Sequence, residues 1–393
     1  MAYDEQSIKQ KILERAKFWK STVEAAKSFI GTSPPSIFVG RAFYPKVYVG
    51  ILSPPTQQPA AEVLDSPEKW YQNKSSIDQI VGYRGQLIYS RFRSNIHSFK
   101  DKLLDITQEL AMSKRQADVE IELKKNPKFE FSFDPWIVTP IGNPAPLLNA
   151  KLTENPSVDR KVDYLVSDAD IKATNAVREL YLHSIPVSRI QKIFSAGLLG
   201  MKIERKLVPT RWSITAVDDI VGKILTGKIK DHQELGEIQL FSNEYIGNHY
   251  EILLLPGTYQ YELVECWTSS GRTEFYSDYE PFWGRKTYAT NTHGAFYAGR
   301  LAVSEYLDKI KRQASVLIVR EILPSYEIPL GIWQMRETVR GALGQPFERF
   351  DSVEKALKRI AERLSVKSRW QFKSKLLKNL KEQKKISEFY SHI

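Results

Sequence analysis

The segment Tyr250-Glu-Ile-Leu-Leu-Leu-Pro-Gly-Thr-Tyr-Gln-Tyr-Glu-Leu-Val-Glu-Cys-Trp267 contains two apolar runs on either side of a Pro-Gly pair. Leucine, valine and aromatic residues favour strands, whereas Pro256-Gly257 favours a turn. We therefore predict that Tyr250–Leu255 and Tyr259–Trp267 form a hairpin of buried strands.

Outside this hairpin, apolar residues recur both at helical spacing and in alternation. Helical spacing predicts helices over residues 5–30, 77–111, 187–194 and from Ser167 to about Leu182, and alternation predicts strands over residues 37–41, 46–52, 119–123 and 202–208. Ser167 is the expected N-cap of its helix, and the proline-rich segment Pro135–Pro146 is predicted to be a loop. The mixture predicts an α+β fold (mixed α/β), and no βαβ repetition indicates a doubly wound sheet.

The composition excludes several classes of protein. With 42% hydrophobic and 26% charged residues the chain is an ordinary globular sequence rather than a disordered one. Cys266 is the only cysteine, which excludes a disulfide framework and a cysteine-rich zinc site. The longest uncharged run, Pro135–Ala150, is too short and too rich in proline to span a bilayer. We expect a cytoplasmic protein with no membrane partner, and no Walker loop or dinucleotide fingerprint points to ATP or NAD.

Positive charge is concentrated towards the C-terminus. Of the net charge of +11, the segment Lys355–Lys385 supplies +10, with 12 Lys and Arg against two Glu. Such a block suits a phosphate backbone, although a solvated helix face is the ordinary alternative. We predict nucleic-acid contact through Lys373, Lys375 and Lys378.

The last residues carry a short motif in which a glutamine precedes an aliphatic residue and two aromatic residues. Its members are Gln383, Ile386, Phe389 and Tyr390. The apolar three lie on one face of a helical turn, and exposed aromatics of this size call for a covering partner. The motif resembles the peptide by which replication and repair proteins dock on PCNA, the sliding clamp. The alternative is a last helical turn that folds back on the core.

Four carboxylates lie close together in the sequence and could form a catalytic metal site. Carboxylates gathered on Mg²⁺ or Mn²⁺ are the means by which nucleases activate a phosphate. In the structural alternative, these acids begin a helix and pair with neighbouring bases. The candidate residues are Asp159, Asp163, Asp168, Asp170 and Lys172.

A second group combines basic and aromatic residues, which can hold phosphates and stack on bases. A core tryptophan beside solvated charges is the structural alternative. The candidates for nucleic-acid binding are Arg205, Lys206 and Arg211, with Trp212 beside them; further along the chain lie Arg285, Lys286, Tyr288, His293 and Arg300.

Several runs resemble the archaeal Nre family of DNA-repair proteins, and the likeness covers nearly the whole chain. They are Phe38-Val-Gly-Arg-Ala-Phe-Tyr-Pro45, Asp159-Arg-Lys-Val-Asp163 to Lys172, Ser195-Ala-Gly-Leu-Leu-Gly200, Arg205-Lys-Leu-Val-Pro-Thr-Arg-Trp-Ser213 and Gly294-Ala-Phe-Tyr-Ala-Gly-Arg300. The resemblance implies a larger N-terminal α/β domain over residues 1–286, a smaller C-terminal domain over residues 287–366 and a flexible basic tail over residues 367–393.

The resemblance also implies docking on PCNA and a role in surviving DNA damage. Many members of the family carry a four-cysteine zinc finger, which a sequence with one cysteine cannot form. The family supplies no established chemistry. Two functions therefore stay open: a clamp-tethered repair protein that binds or acts on damaged DNA, and a metal-dependent nuclease or phosphoester hydrolase tethered to the clamp.

Overall fold

The computed structural model describes residues 5–98, 100–134, 137–269 and 272–382, which form two compact units. Unit 1 extends to Val221 and includes Glu327–Gly331, and unit 2 comprises Gly222–Tyr326 and the residues from Ile332 onwards. Both units combine helices with a sheet, which confirms the predicted α+β fold. No helix in the described ranges has the length and apolarity needed to cross a bilayer. The predicted domain boundary after residue 286 stays a prediction.

Unit 1 is built from helices around a seven-stranded sheet. Its helices are α1 Glu5–Ala16, α2 Lys20–Ala25, α3 Pro67–Gln72, α4 Ile77–Gln86, α5 Lys102–Met112, α6 Arg160–Ser167, α7 Ala173–Leu182, α8 Val187–Ser195 and the start of α9 Thr210–Ile229. Its strands are β1 Ser28–Ser33, β2 Ser36–Val39, β3 Lys46–Ser53, β4 Ile88–Asn95, β5 Ala117–Leu123, β6 Ser132–Asp134 and β7 Ile137–Leu152.

The strand order in this sheet is β1-β5-β7-β4-β3-β2, and β6 pairs with β7. The β4–β7 pair is parallel, and the other pairs are antiparallel. Strand β5 shows why the sequence folds this way, because Ala117, Val119, Ile121 and Leu123 are buried and the acids between them are not. This period of two confirms the strand predicted there.

Two predicted helices of unit 1 are too long. The helix predicted over residues 5–30 ends at Ala25, and the chain enters β1 at Ser28. The helix predicted over residues 77–111 is wrong in its middle, where β4 separates α4 from α5. Its residues Ile88-Tyr-Ser-Arg-Phe-Arg93 mix apolar and basic side chains in a way that fits a helix locally, but pairing with β3 and β7 decides the outcome.

The predicted loop Pro135–Pro146 is also wrong, because β7 occupies most of it. Pro140 lies opposite Phe133 where the ladder to β6 changes register. Bulges of this kind are where a sheet accepts proline. Pro144 and Pro146 are two residues apart, so both place their missing N–H groups on the same side of the strand.

Two further predictions in unit 1 need correction. Ser167 ends α6 and does not cap the next helix, since α7 begins at Ala173. The strand predicted over residues 202–208 is instead a 3-10 turn, Lys202–Glu204, followed by extended chain. Apolar and polar residues alternate there, but residues 202–208 do not pair with a strand of a sheet.

Unit 2 contains a six-stranded sheet and a small two-stranded one. Its strands are β8 Gln233–Glu234, β9 Ile238–Tyr245, β10 Asn248–Leu255, β11 Gln260–Ser269, β12 Arg272–Glu280, β13 Arg312–Gln313, β14 Ser315–Ile322 and β15 Glu348–Phe350. Its helices are α10 Gly294–Ile310, α11 Trp333–Leu343, α12 Val353–Arg363 and α13 Lys375–Glu382.

The predicted strands at 250–255 and 259–267 exist, but the predicted hairpin between them is wrong. The strand order is β12-β11-β14-β10-β9-β15, so β14 lies between the two strands. It pairs antiparallel with β10 and parallel with β11. The Pro256-Gly257 turn reverses the chain, with Gly257 at a φ of +135°. The two strands that the turn connects are therefore not neighbours in the sheet, because β14, from much later in the sequence, lies between them.

Helices cover both faces of the six-stranded sheet. On one face Leu253, Leu255 and Cys266 pack against residues of α12 and of the C-terminal segment, including Trp370 and Leu377. On the other face α10 contacts β11, where the rings of Phe296 and Tyr261 are 4.8 Å apart. Burial on both faces explains the continuous apolar sequence of the inner strands. The described part of the predicted basic tail, residues 367–382, is thus packed on the sheet of unit 2.

Candidate nucleic-acid interface

Asp159, the first candidate carboxylate, forms ion pairs. It lies just before α6 and pairs with Arg189, and its other oxygen is 3.2 Å from Lys114 Nζ. Partial burial alone would raise the pKa of Asp159, but the hydrogen bonds from Arg189 and Lys114 lower it below its usual value. Arg189 also donates to the Met112 carbonyl oxygen, so this cluster ties α6 and α8 to the end of α5.

Asp168 shapes the turn between α6 and α7. Its Oδ1 accepts hydrogen bonds from the backbone N–H groups of Asp170 (2.9 Å) and Ile171 (3.0 Å). It also lines an open cleft of mixed charge that includes Lys161, Arg178 and Glu179. An acceptor used twice by its own turn has a structural role. The role differs from the predicted one, because Asp168 follows the end of α6 and does not begin a helix.

The remaining members of the carboxylate group lie at the surface. Asp163, Asp170 and Lys172 are exposed. Among the residues that the structure describes, no group of three or more His, Cys, Asp or Glu side chains could hold a metal ion. The geometry therefore favours a structural role for Asp159 and Asp168, and Mg²⁺ or Mn²⁺ binding stays a prediction without geometric support.

Arg205 is engaged inside unit 1. Its guanidinium donates to the carbonyl oxygens of Gly200 (2.8 Å), Val166 (2.9 Å) and Asp168 (2.6 Å). These bonds tie the end of α6 and the turn after it to the segment that leads into α9, and they favour a structural role for Arg205. Its neighbour Lys206 is exposed.

The second basic and aromatic group is largely built into unit 2. Arg300 is buried and pairs with Glu280 at 2.6 Å, while Arg285 lies 3.2 Å from Asp278. Tyr288 stacks on Tyr297 with ring centroids 5.4 Å apart. Of this group only the exposed Lys286 and the half-exposed Tyr288 and His293 face solvent to a large extent.

The tail lysines lie on or next to α13. Lys373, Lys375 and Lys378 are exposed, and Lys378 forms a long ion pair of 3.8 Å with Glu382. The helix is fixed by the buried Glu262 of β11, which accepts hydrogen bonds from the N–H groups of its first two residues and from Ser374 Oγ. A basic helix surface is thus held in place on unit 2.

The predicted clamp-docking residues Gln383, Ile386, Phe389 and Tyr390 lie outside the described residues. In the sequence they follow Glu382, the last described residue of α13.

The structure brings together a surface in unit 1 that we call the arginine–aromatic surface. It consists of Phe43 and Tyr44 in the turn between β2 and β3, Tyr48 on β3, Arg91 and Arg93 on β4, and Trp212 on α9. Phe43, Tyr44 and Trp212 are 66%, 43% and 45% exposed. Large aromatic side chains that face solvent together indicate a surface with a function rather than a part of the core.

The aromatic rings and guanidinium groups of this surface are in direct contact. The ring centroids of Tyr44 and Trp212 are 5.3 Å apart, and those of Phe43 and Tyr48 are 6.5 Å apart. Arg93 Cζ lies 4.7 Å from the centroid of Phe43. Arg91 Cζ lies 4.3 Å from that of Tyr48. Cation–π contacts of this kind hold the arginines while their N–H edges stay available.

Backbone pairing explains why these side chains meet. Tyr48 lies opposite Arg93 in the β3–β4 ladder, and Gly50 lies opposite Arg91, so both arginines emerge on the face of Tyr48. Trp212 comes from α9, whose first residue, Thr210, accepts a hydrogen bond from the Val39 N–H through its hydroxyl. That bond joins the start of α9 to the end of β2.

The segments that contribute to this surface are basic in sequence. The three segments that form it, residues 36–61, 87–100 and 205–217, contain no Asp or Glu. Their eight basic residues are Arg41, Lys46, Arg91, Arg93, Lys100, Arg205, Lys206 and Arg211. These segments meet in the fold and bring positive but no negative side chains, which favours binding of a polyanion.

Sequence reasoning found one residue of this surface, Trp212, which it noted beside the proposed Lys206 and Arg211. It missed Phe43, Tyr44, Tyr48, Arg91 and Arg93. The two arginines were assigned to a helix, where residues two apart point in different directions, whereas on a strand they share a face. The absence of acids from all three segments was the signal that could have found them.

Fold and surface together define a two-unit α+β protein with an exposed arginine–aromatic face in one unit and a basic helix in the other. The chain belongs to the archaeal Nre family: the Nre N-terminal family matches residues 7–272, and the Nre C-terminal family matches residues 280–389. The resemblance seen in the sequence is thereby confirmed.

Three relatives have similar sequences along most of their length. DNA repair protein NreA of Archaeoglobus fulgidus is 38% identical over 367 residues, covering 91% of this chain and 90% of the relative. DNA repair protein NreB of the same organism is 35% identical, with the same coverage. DNA repair protein NreA of Haloferax volcanii is 36% identical, covering 88% and 86%. No solved structure gives a significant match.

Proposed function

We propose that this protein acts in DNA repair, docks on the PCNA sliding clamp through its C-terminal peptide and contacts DNA through basic surfaces on its body. The repair role is supported by relatives that are named DNA repair proteins and that match nine-tenths of the chain. The docking role is supported by the motif Gln383, Ile386, Phe389 and Tyr390.

The single observation that carries the docking proposal is the position of this motif directly after an anchored helix. Helix α13 is fixed to the sheet by Glu262 and by the buried side chains of Leu376 and Leu377. In the sequence, the motif begins at Gln383, directly after Glu382, the last described residue of this helix. A peptide attached there would tether the whole body of the protein to the ring.

Removal of the motif tests this proposal. A chain that ends at Glu382 keeps every described contact of α13, so its melting temperature and circular dichroism should match those of the full chain. It should lose clamp binding, which for a short peptide of this kind we expect at roughly micromolar strength because ordering offsets much of the burial.

Point variants make the test specific. Phe389→Ala should weaken clamp binding nearly as much as the truncation, while Ser391→Ala, outside the motif, should leave it unchanged. Binding is measured by calorimetry or by co-elution with the purified clamp. If the shortened chain still co-elutes with the clamp, the docking peptide lies elsewhere.

A further inference from the structure

We propose that the arginine–aromatic surface of unit 1 binds single-stranded DNA, with bases stacked on its exposed rings and phosphates held by its arginines. This inference deepens the proposed function, because it names the form of DNA and the site. It rests on side chains of unit 1, whereas the docking proposal rests on the terminal peptide.

The first support is the kind of side chain exposed. Phe43, Tyr44 and Trp212 present their rings to solvent, and each residue is at least 43% exposed. Bases stack on such faces whatever their identity, and each stack contributes roughly 1–3 kcal/mol. The Tyr44 and Trp212 rings meet at an interplanar angle of 52°, so neither covers the other's face as a parallel stack would.

The second support is charge. The segments that build the surface carry basic residues and no acid. In the described part of the chain, the contacts found for Arg91 and Arg93 are with aromatic rings, and neither forms an ion pair with a carboxylate. A guanidinium that lies over a ring keeps its N–H donors at its edge, where they fit phosphate oxygens.

The third support is backbone strain at Phe43. This residue adopts a φ of +67° although it has a bulky side chain. The left-handed region is unfavourable for such a residue, and strain of this kind concentrates at binding sites. The turn that imposes it is closed by a hydrogen bond of 2.9 Å from the Lys46 N–H to the Phe43 carbonyl oxygen. The conformation holds a two-thirds exposed phenyl ring at the surface.

These features favour single strands over duplex. In a duplex the base faces are stacked on one another, so exposed rings would contribute little and only the basic residues would act. An acidic peptide would likewise use the charges and leave the three rings idle. Single-stranded DNA is the ligand that uses both components.

The test is titration of the full-length protein into a labelled oligothymidylate of about 20 nucleotides, followed by fluorescence anisotropy. Trp212→Ala and Phe43→Gly should each weaken binding by roughly tenfold or more, the effect of losing one stacked base. Trp212→Phe should restore most of the affinity. Phe43→Gly also removes the strain at this position, so its melting temperature should be equal to or above that of the wild type.

The matched control is Trp283→Ala, which removes another exposed tryptophan, 81% exposed and located in unit 2. It should not change oligothymidylate binding. A duplex of the same length should bind more weakly than the single strand and should be insensitive to Trp212→Ala. All four point variants should bind the clamp like wild type, whereas the chain that ends at Glu382 should bind oligothymidylate and lose the clamp.

Four results would overturn the inference: no binding of oligothymidylate by the wild type, unchanged binding in both unit 1 variants, an equal loss in Trp283→Ala, or displacement of the oligonucleotide by poly-glutamate as effectively as by unlabelled oligothymidylate. Each of these leaves clamp binding untouched, so failure here is distinguishable from failure of the docking proposal.

Discussion

At the scale of single residues, His249 on β10 links charge to stability in unit 2. Its Nε2 lies 2.7 Å from the buried Glu251 Oε1, and its Nδ1 lies 3.5 Å from Glu244. Burial alone would lower the pKa of His249, but the hydrogen bonds and charges of Glu251 and Glu244 outweigh it and raise the pKa above 6.5. Ser242 Oγ and Arg363 also contact the Glu251 carboxylate.

The raised pKa predicts the direction of a pH effect. Because the folded state holds the His249 proton more tightly than the unfolded state, the stabilisation is fully present below about pH 6.5 and is lost as pH rises through the folded pKa. The melting temperature should therefore fall more between about pH 6 and pH 8 in the wild type than in His249→Asn.

The control for this prediction is His97→Asn, since His97 is an exposed residue of unit 1. Its pH profile should match that of the wild type. If the pH profile of His249→Asn also matches that of the wild type, the contact with Glu251 does not raise the pKa of His249 enough to affect stability.

At the scale of elements, helix α13 depends on one buried carboxylate. Glu262 accepts four hydrogen bonds: from Ser277 Oγ at 2.8 Å, Ser374 Oγ at 2.6 Å, and the N–H groups of Lys375 and Leu376 at 2.8 and 2.9 Å. An amide has one acceptor oxygen, and its NH₂ group would face these donors. Leaving buried donors without partners costs roughly 1–3 kcal/mol.

Glu262→Gln should therefore release α13 locally. Amide hydrogen exchange over residues 375–382 should become faster, while exchange in β10 and β14 stays slow, because the sheet keeps its own core. Glu274→Gln on the neighbouring strand β12 replaces an exposed acid and serves as the control. Unchanged exchange in Glu262→Gln would mean that the apolar contacts of Leu376 and Leu377 hold the helix by themselves.

Elements also show which parts of the fold the sequence predicts. Strand β5 and helix α8 were predicted because one buried face sets the period of each. The hairpin at 250–267 failed because the partner of both strands, β14, lies some 50 residues further along the chain. Pairing that distant carries no local signal, and the same reason explains the missed strands β4 and β7.

The candidate site divides along the same line. The basic character of residues 205–211 and of the tail follows from composition, so sequence reasoning found it. The contact of Tyr44 with Trp212 joins a turn to a helix that begins more than 160 residues later, and it required the structure. The carboxylate group shows the opposite error. Its members are close in the sequence, which suggested a shared metal site, but in the structure Asp159 forms an ion pair and Asp168 accepts hydrogen bonds within a turn.

At the scale of the whole molecule, basic residues are displayed by both units. In unit 1 they surround the three exposed rings of the arginine–aromatic surface. In unit 2 they lie on and around α13, where among the described residues of the tail only the ring of Phe372 is largely exposed, 5.5 Å from that of Phe275. Stacking surfaces select single strands, whereas lysines on a helix contact phosphates irrespective of sequence or strandedness. The two surfaces should therefore differ in how salt affects them.

Duplex DNA binding should depend on the lysines of α13 and the turn before it. Each phosphate neutralised on a duplex contributes about −0.9 to the slope of log K against log salt. Replacing Lys373, Lys375 and Lys378 with glutamine should flatten that slope by about 0.9 for each lysine that contacts a phosphate. Replacing the exposed Lys17, Lys20 and Lys27 of unit 1 removes the same charge and should leave the slope unchanged, which separates local contact from net charge. If the α13 variant keeps the wild-type slope, the duplex contacts belong to Lys206 and Arg211, and unit 1 then binds both forms of DNA.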